Sequence, residues 1–338
     1  VKNPSAVSIE VNLRPLDVYH DLNAVADLIE LCFINTMDPD GKEYLRQMRL
    51  ASRDTGFLSW APQVAEHISL PLSGYVWEEN GRVIGNLSLI PLHKDGQRIY
   101  LIANVAVHPE YRRRGIARKL TQKALEHAHR RGASSAWLQV RDDNPAAQQL
   151  YLSLGFIERA RRITWQYIPL TPVPMKRDDV TIGARRPEDW PLQHDWLALT
   201  YPPQVMWNLP LNFHRLQPGF FRDLTAYLYG QKIRHWSARL RGQLIGVLTW
   251  EMSRGYADNL WLAVDPEYED QAIRSLLAQA RAWIPRSRPL AVNYPAGVEG
   301  EAFVASGFNH HQTLIWMEAK LSEPYTGSSI PIVSPDAG

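Results

Sequence analysis

The chain has 338 residues, 45% of them hydrophobic, enough to build two cores of ordinary domain size. A formal net charge of +2 gives no broad basic field for nucleic acid, and a single cysteine rules out a disulfide framework. No apolar run approaches the roughly 20 residues of a membrane span and the first residues lack a signal-peptide pattern, so the expectation is a cytoplasmic protein with no membrane or nucleic-acid partner.

In chain order, Leu28 to Leu50 reads as two helical patterns around the turn Asp38-Pro39-Asp40-Gly41 and supplies Cys32, Phe33, Met37 and Tyr44. Cys32 is expected to pack, not to act as a nucleophile. Trp60, His67 and Trp77 follow; each could line a pocket, although core packing is the ordinary role for such residues. An apolar strand from Leu101 to Val107 then leads into Arg112-Arg113-Arg114-Gly115-Ile116-Ala117 and a helical pattern running to Arg131, with a buried stripe at Ile116, Leu120, Ala124 and Ala128. A strand that turns into a helix leaves the first helical N–H groups unpaired at the positive end of the dipole, where an anion fits. Gly115 and Ala117 keep side-chain bulk off those amides, while Arg112, Arg113, Arg114, Arg118 and Lys119 add positive charge. Gly132 closes the helix and Ala136-Trp137-Leu138-Gln139-Val140 reads as a buried strand. Asn144-Pro145-Ala146-Ala147-Gln148-Gln149-Leu150-Tyr151 then opens a second helix before Gly155-Phe156.

From Val105 to Phe156 these pieces, in this order, resemble the GNAT superfamily of N-acetyltransferases: strand, Arg-x-x-Gly-x-Ala loop, helix, strand, Asn-x-x-Ala-x-x-Leu-Tyr helix, Gly-Phe ending. The run Val107-His108-Pro109-Glu110-Tyr111-Arg112 is similar to that of the ribosomal-protein N-terminal acetyltransferases in particular. The resemblance implies acetyl-CoA as co-substrate. The backbone of Val105, Ala106 and Val107 would pair with the pantetheine arm, and the amides of Arg113 to Arg118, including Gly115, Ile116 and Ala117, would surround the pyrophosphate. Asn144 would hydrogen-bond the pantetheine region, and the phenol of Tyr151 would protonate the leaving thiolate. It also implies that the helices between the first two strands shape an amine site.

The same resemblance leaves the general base open. Relatives carry an acid at the positions held here by Gln139 and Asn104, and neither amide can take a proton. A lysine-like amine is neutral in only roughly one molecule in 2,500 at pH 7. Either a relay serves, with Asp142, Asp143 and His108 as candidates, or the acceptor amine has a low pKa, or the domain binds coenzyme without turnover.

Four markers recur in order. Arg14-Pro15-Leu16-Asp17 returns as Arg186-Pro187-Glu188-Asp189, and Gly81-Arg82-Val83-Ile84-Gly85 as Gly242-Gln243-Leu244-Ile245-Gly246. Ala106 to Tyr111 returns as Ala263 to Tyr268, and Gly155-Phe156 as Gly307-Phe308. In the second copy the phosphate loop reads Glu269-Asp270-Gln271-Ala272, and Phe303 stands where Tyr151 would fall, so that copy is expected to be inert. Its tryptophans, among them Trp190, Trp196, Trp207 and Trp236, fill a core or line a cleft, and His310 and His311 lack partner spacing for a metal.

The expected plan is α/β: two tandem domains, each a mixed, mostly antiparallel twisted sheet flanked by helices. The first covers 1–168 and binds acetyl-CoA, a Pro-rich linker covers 169–179, the degenerate copy covers 180–321, and a disordered tail covers 322–338. The expected activity is acetyl transfer to a primary amine, on a small molecule or a peptide, by direct attack in a ternary complex. A monomer whose two copies pair like a dimer fits this plan. An acyl-CoA sensor or a partner-binding scaffold without turnover is the alternative.

Overall fold

The computed structural model describes residues 12–54, 73–94, 96–168, 179–219, 232–253, 255–284, 288–298 and 300–321. Trp60, His67, the linker apart from Asp179, and the tail at 322–338 lie outside the described residues. The described chain forms two compact units. The first gathers 12–139, 146–157 and 317–321; the second gathers 140–145 and 158–316.

The first unit begins with the short strand β1 (Leu13–Pro15), then helices α1 (Leu22–Phe33) and α2 (Pro39–Ala51). Asp38 starts α2 by accepting the Gly41 N–H at 2.7 Å, with Pro39 at the first helical position where its missing N–H costs nothing. The apolar stripe Leu22, Val25, Ala26 and Ile29 of α1 packs with Leu45, Met48 and Val76. Strands β2 (Gly74–Glu79) and β3 (Arg82–Lys94) join through Asn80-Gly81, both left-handed at φ 53° and 75°, the backbone a two-residue hairpin needs. β4 (Gln97–Val107) lies antiparallel to β3, and β1 pairs with the other edge of β2.

Helix α3 (Ile116–Arg130) covers one face of this sheet with Ile116, Leu120, Ala124, Leu125 and Ala128. Gly85 is what lets it approach: a Cβ there would stand 2.9 Å from Ile116 Cγ2 and 3.2 Å from Leu120 Cδ1. β5 (Ser135–Arg141) runs parallel to β4, and α4 (Pro145–Leu152) follows.

The second unit repeats this order. β7 (Val180–Ala184) is followed by α5 (Trp190–Thr200), α6 (Pro203–Met206) and α7 (Phe213–Leu216). Next come antiparallel β8 (Ile233–Leu240), β9 (Gln243–Glu251) and β10 (Asp258–Val264), helix α8 (Glu269–Trp283), parallel β11 (Leu290–Pro295), α9 (Gly300–Ala305) and β12 (Asn309–Lys320). β6 (Ile157–Tyr167) pairs antiparallel with β11. The β8–β9 hairpin turns on Arg241-Gly242 at φ 50° and 88°, and Gly246 sits beneath Ala272 and Leu276 of α8 as Gly85 sits beneath α3. The fold is therefore mixed α/β with mostly antiparallel sheets and helices packed on them.

Candidate active site

β4 and β5 stay together for four residue pairs, Ile99↔Ser135 to Ile102↔Leu138, and then part. β4 continues to Val107 with no partner on that side among the described residues, which exposes a strand edge over 103–107. His108 N–H donates to Ile84 O at 2.8 Å, so Val107, one residue earlier, directs its own N–H and C=O away from β3. Ala106 stands opposite Asn86 in the ladder, and the outward-facing groups of this stretch are those of Val105 and Val107. The Val107 carbonyl accepts the Arg112 Nε–H at 3.2 Å and the Cys32 thiol at 3.3 Å. Burial pushes the Cys32 thiol pKa up, which keeps it protonated and packed.

A single 3-10 turn, Pro109–Tyr111, leads from this edge to the loop. Arg113 and Gly115 are both left-handed, at φ 62° and 77°, and Gly115 is the N-cap of α3 with no side chain to offer. Among the described residues the backbone N–H groups of Arg113 to Arg118 make no hydrogen bond; the first one engaged is Lys119 N–H, to Gly115 O at 3.1 Å. A Cβ on Gly115 would meet nothing within 4 Å, and the first turn holds no acidic residue. The loop is thus an open nest of amides at a helix N-terminus, in an arrangement that fits a pyrophosphate. Its side chains share the charge unevenly. The Arg114 guanidinium lies over Tyr111 and pairs with Glu79 at 3.0 Å, Arg118 donates to Ser153 Oγ at 2.7 Å, and Lys119 sits over Trp77. Arg113 makes no side-chain bond among the described residues. Trp77 is buried under Lys119 as core.

Tyr151, on α4, is 6% exposed, with its ring edge-on to Phe156. Its hydroxyl makes no hydrogen bond among the described residues, and burial raises its pKa well above the ordinary tyrosine range, so the phenol keeps its proton. Gln139 is the first β5 residue beyond the last pair with β4 and is half-exposed. His108 is committed elsewhere, with Nε2 at 3.2 Å from an Arg82 guanidinium nitrogen and its ring against Tyr111. Asp143 is paired with Arg141 at 2.7 Å, which lowers its pKa, and Asp142 N–H donates to Thr313 O. Asn144 donates its N–H to Arg141 O at 3.2 Å; with Asp142 and Asp143 it belongs to the second unit.

One group joins Asn104 and Tyr44, which the sequence singled out separately, to Asn86 and Ser88, which it did not. Asn86, Ser88, Asn104 and Tyr44 form a hydrogen-bonded cluster at a bulge in β4. The sequence marked Asn104 as standing where relatives carry an acid, but gave no sign of its bonds to Ser88 and Tyr44 beyond two asparagines inside strands, where that residue is disfavoured.

The corresponding place in the second unit is closed. β10 and β11 part after Leu260↔Val292, but the Leu262 N–H on the freed edge donates to the buried Tyr201 hydroxyl at 3.3 Å. Beside it, the buried Arg162 donates to the Asn293 side chain and to Thr200 O, with its guanidinium over the Tyr201 ring. The connection from β10 to α8 is only 265–268, where the first unit uses 108–115, and no residue in it is left-handed. Glu269 accepts from the Tyr294 hydroxyl at 2.5 Å, Asp270 pairs with Arg274, and Phe303 is stacked on Trp165 in the core.

Residues 34–156 match the model of the acetyltransferase (GNAT) family. These residues, rather more than a third of the chain, are what it shares with that family. Over 81 residues it is 43% identical to the ribosomal protein bS18-alanine N-acetyltransferase of Escherichia coli (strain K12), a match covering 24% of this chain and 51% of that protein. Over 137 residues it is 36% identical to the mycothiol acetyltransferase of Salinispora tropica, covering 37% of this chain and 41% of that one. The chain therefore spans about half the length of the curated relatives it matches. Among solved structures, a GCN5-related N-acetyltransferase from Sphaerobacter thermophilus shares the fold at a TM-score of 0.57 and 15% identity, over 91% of this chain and 95% of that one. The matched residues contain the opened β4 edge, the amide nest and Tyr151.

Proposed function

We propose that this protein is an N-acetyltransferase that moves the acetyl group of acetyl-CoA to a primary amine, with catalysis confined to the first GNAT copy of a tandem pair. The observation that carries this reading is the nest of unengaged amides at 113–118, opened by two left-handed residues and continuous with the free edge of β4. Acetyl-CoA supplies the thioester. Arg113, Arg114, Gly115, Ile116, Ala117 and Arg118 hold its pyrophosphate by their amides, with Arg112 adding charge. Val105 and the N–H of Val107 offer backbone groups to the pantetheine arm, and Ala106 keeps their strand in place.

In the ternary complex the amine nitrogen attacks the thioester carbonyl carbon, the carbon–nitrogen bond forms and the carbon–sulfur bond breaks. Tyr151 donates its phenolic proton to the departing thiolate, the attacking nitrogen gives up its extra proton to solvent, and solvent returns a proton to the Tyr151 phenolate. No carboxylate stands at Asn104 or Gln139, so the amine must arrive neutral. That favours an acceptor whose pKa lies near 8, neutral in roughly one molecule in ten at pH 7, over a lysine-like amine.

The experiment is thiol release from acetyl-CoA in the presence of small amines, amino acids and short peptides. Turnover with at least one acceptor, and double-reciprocal lines that intersect, support direct transfer. Coenzyme binding with no thiol release from any acceptor sinks it in favour of a sensor.

A further inference from the structure

The bulge in β4 holds a polar cluster that the reaction above does not use. The β3–β4 ladder jumps from Ser88↔Ala103 to Asn86↔Ala106, so Leu87 faces two residues, Asn104 and Val105. Asn104 takes the left-handed conformation at φ 51°, which asparagine tolerates better than most residues. Asn86 Nδ2 donates to the Asn104 carbonyl at 3.0 Å, satisfying a backbone group that the bulge removes from the ladder. Asn104 Nδ2 in turn donates to the Tyr44 hydroxyl at 2.8 Å and to Ser88 Oγ at 3.2 Å. Asn86 and Ser88 are 0% exposed, and the Tyr44 ring packs with Phe33 and Met37 against the α1–α2 core.

Both N–H groups of the Asn104 amide are therefore spent, and its plane is fixed from two sides. Oδ1 lies across the amide from Tyr44 and Ser88 and accepts no hydrogen bond among the described residues. Asn104 is also the second residue past the last β4–β5 pair, where the strands have begun to separate. An oriented amide oxygen beside the opened edge, free to accept and unable to take a proton, is suited to an amine N–H.

Building on the acetyl-transfer reading, we propose that Asn104 Oδ1 docks the acceptor amine, and that Tyr44 and Ser88 are the positioning residues that hold the amide in that orientation. Such a site orients the nitrogen lone pair toward the thioester without ionising the amine. It therefore selects for amines that are already partly neutral, the α-amino group of a peptide or amino acid, over the ε-amine of lysine. Burial pushes the Tyr44 phenol up to about 12, so it stays a hydroxyl and does not compete as a base.

The test measures the KM of a peptide α-amine, kcat, and acetyl-CoA affinity by calorimetry, in the full chain. Asn104→Gly keeps a residue at ease with the left-handed backbone and removes the amide; amine KM should rise about ten- to hundredfold while coenzyme affinity holds within about twofold. Tyr44→Phe should raise amine KM about three- to tenfold with coenzyme affinity unchanged. Asn104→Asp keeps an acceptor oxygen, since the Tyr44 and Ser88 hydroxyls can turn to donate to it. It should retain amine KM and extend activity to lower pH, because a carboxylate can take the amine's proton. An amine KM indifferent to Asn104→Gly overturns the docking role. So does a collapse of kcat in Asn104→Asp, which would mean that the amide acts by donating an N–H to the thioester. Either result with an active wild type leaves acetyl transfer standing, whereas a wild type that acetylates no amine overturns both readings together.

Discussion

Tyr151 carries the clearest single-residue prediction. Its hydroxyl is held in a 6%-exposed side chain with no partner among the described residues, and burial moves its pKa upward. A phenol so placed is fully protonated at neutral pH and can act only as an acid. Tyr151→Phe should lower kcat by about a hundredfold, the usual yield of a positioned general acid, and change acetyl-CoA affinity by less than about twofold. The sign of the pH dependence follows from the same shift. Activity should rise tenfold per pH unit while the acceptor amine loses its proton, level off above the amine's pKa, and not fall near pH 10 where an ordinary tyrosine ionises. Steady-state rates between pH 6 and 10.5 check this, and a loss of coenzyme affinity equal to the loss of kcat would show that the side chain is structural. The place of Tyr151 was legible because its neighbours Asn144, Ala147 and Leu150 keep a fixed helical spacing. The part played by Asn104 was not, since its meaning depends on Ser88 and Tyr44, 16 and 60 residues away.

Two glycines show how elements are placed. Gly115 ends the loop at φ 77° with open space around it, so Gly115→Glu should cost only about 1–2 kcal/mol of backbone strain. It also sets a carboxylate against the amides that await an anion. The expected result is a nearly native melting curve with acetyl-CoA binding lost in calorimetry; retained binding would remove the loop from the site. Gly85 works by contact. An added methyl meets Ile116 Cγ2 at 2.9 Å, Trp77 Cβ at 3.0 Å and Leu120 Cδ1 at 3.2 Å, so Gly85→Ala must push the first turn of α3 off the sheet. It should destabilise by about 1–3 kcal/mol and weaken coenzyme binding as well, because that turn carries the amides. Gly246→Ala meets Ala272 Cβ and Leu276 Cδ1 at 3.1 Å and should lower stability while leaving coenzyme affinity alone. Thermal melts and calorimetry on the pair separate the two effects. The α3 stripe and the part of Gly115 were readable because each depends on neighbours within a few residues, whereas Gly85 served only as a repeat marker because the helix it admits starts 31 residues further on. The bulge at Asn104 was not, because one extra residue shifts a ladder by a single step that alternation over so short a stretch does not reveal.

At the scale of the whole chain, an internal repeat of elements coexists with a strand edge and loop that are open in the first unit and filled in the second. No motif announced that residues 317–321, at the far end of the chain, belong with the first unit, where Leu321 N–H donates to Ser134 O at 3.0 Å; strand pairing is decided by edges, and the sequence pattern of an edge names no partner. The asymmetry of the two copies is physical. In the first, the strands part and leave backbone groups free, the loop is long enough for two left-handed residues, and the helix begins without an acid. In the second, Tyr201 occupies the freed edge, Arg162 and Asn293 fill in beside it, and Glu269 and Asp270 open the helix with negative charge. A net charge of +2 supplies no general attraction for a polyanion, so affinity must come from the local nest and must weaken with salt. A calorimetric titration of the full chain should therefore reach saturation at one acetyl-CoA per molecule, with affinity falling as salt rises from 50 to 500 mM. Gly115→Glu should abolish all of the heat, not half of it. A stoichiometry of two, or a residual site in that variant, would mean that the second copy opens to admit coenzyme, and that the Tyr201 and Arg162 contacts form a removable plug instead of a permanent filling.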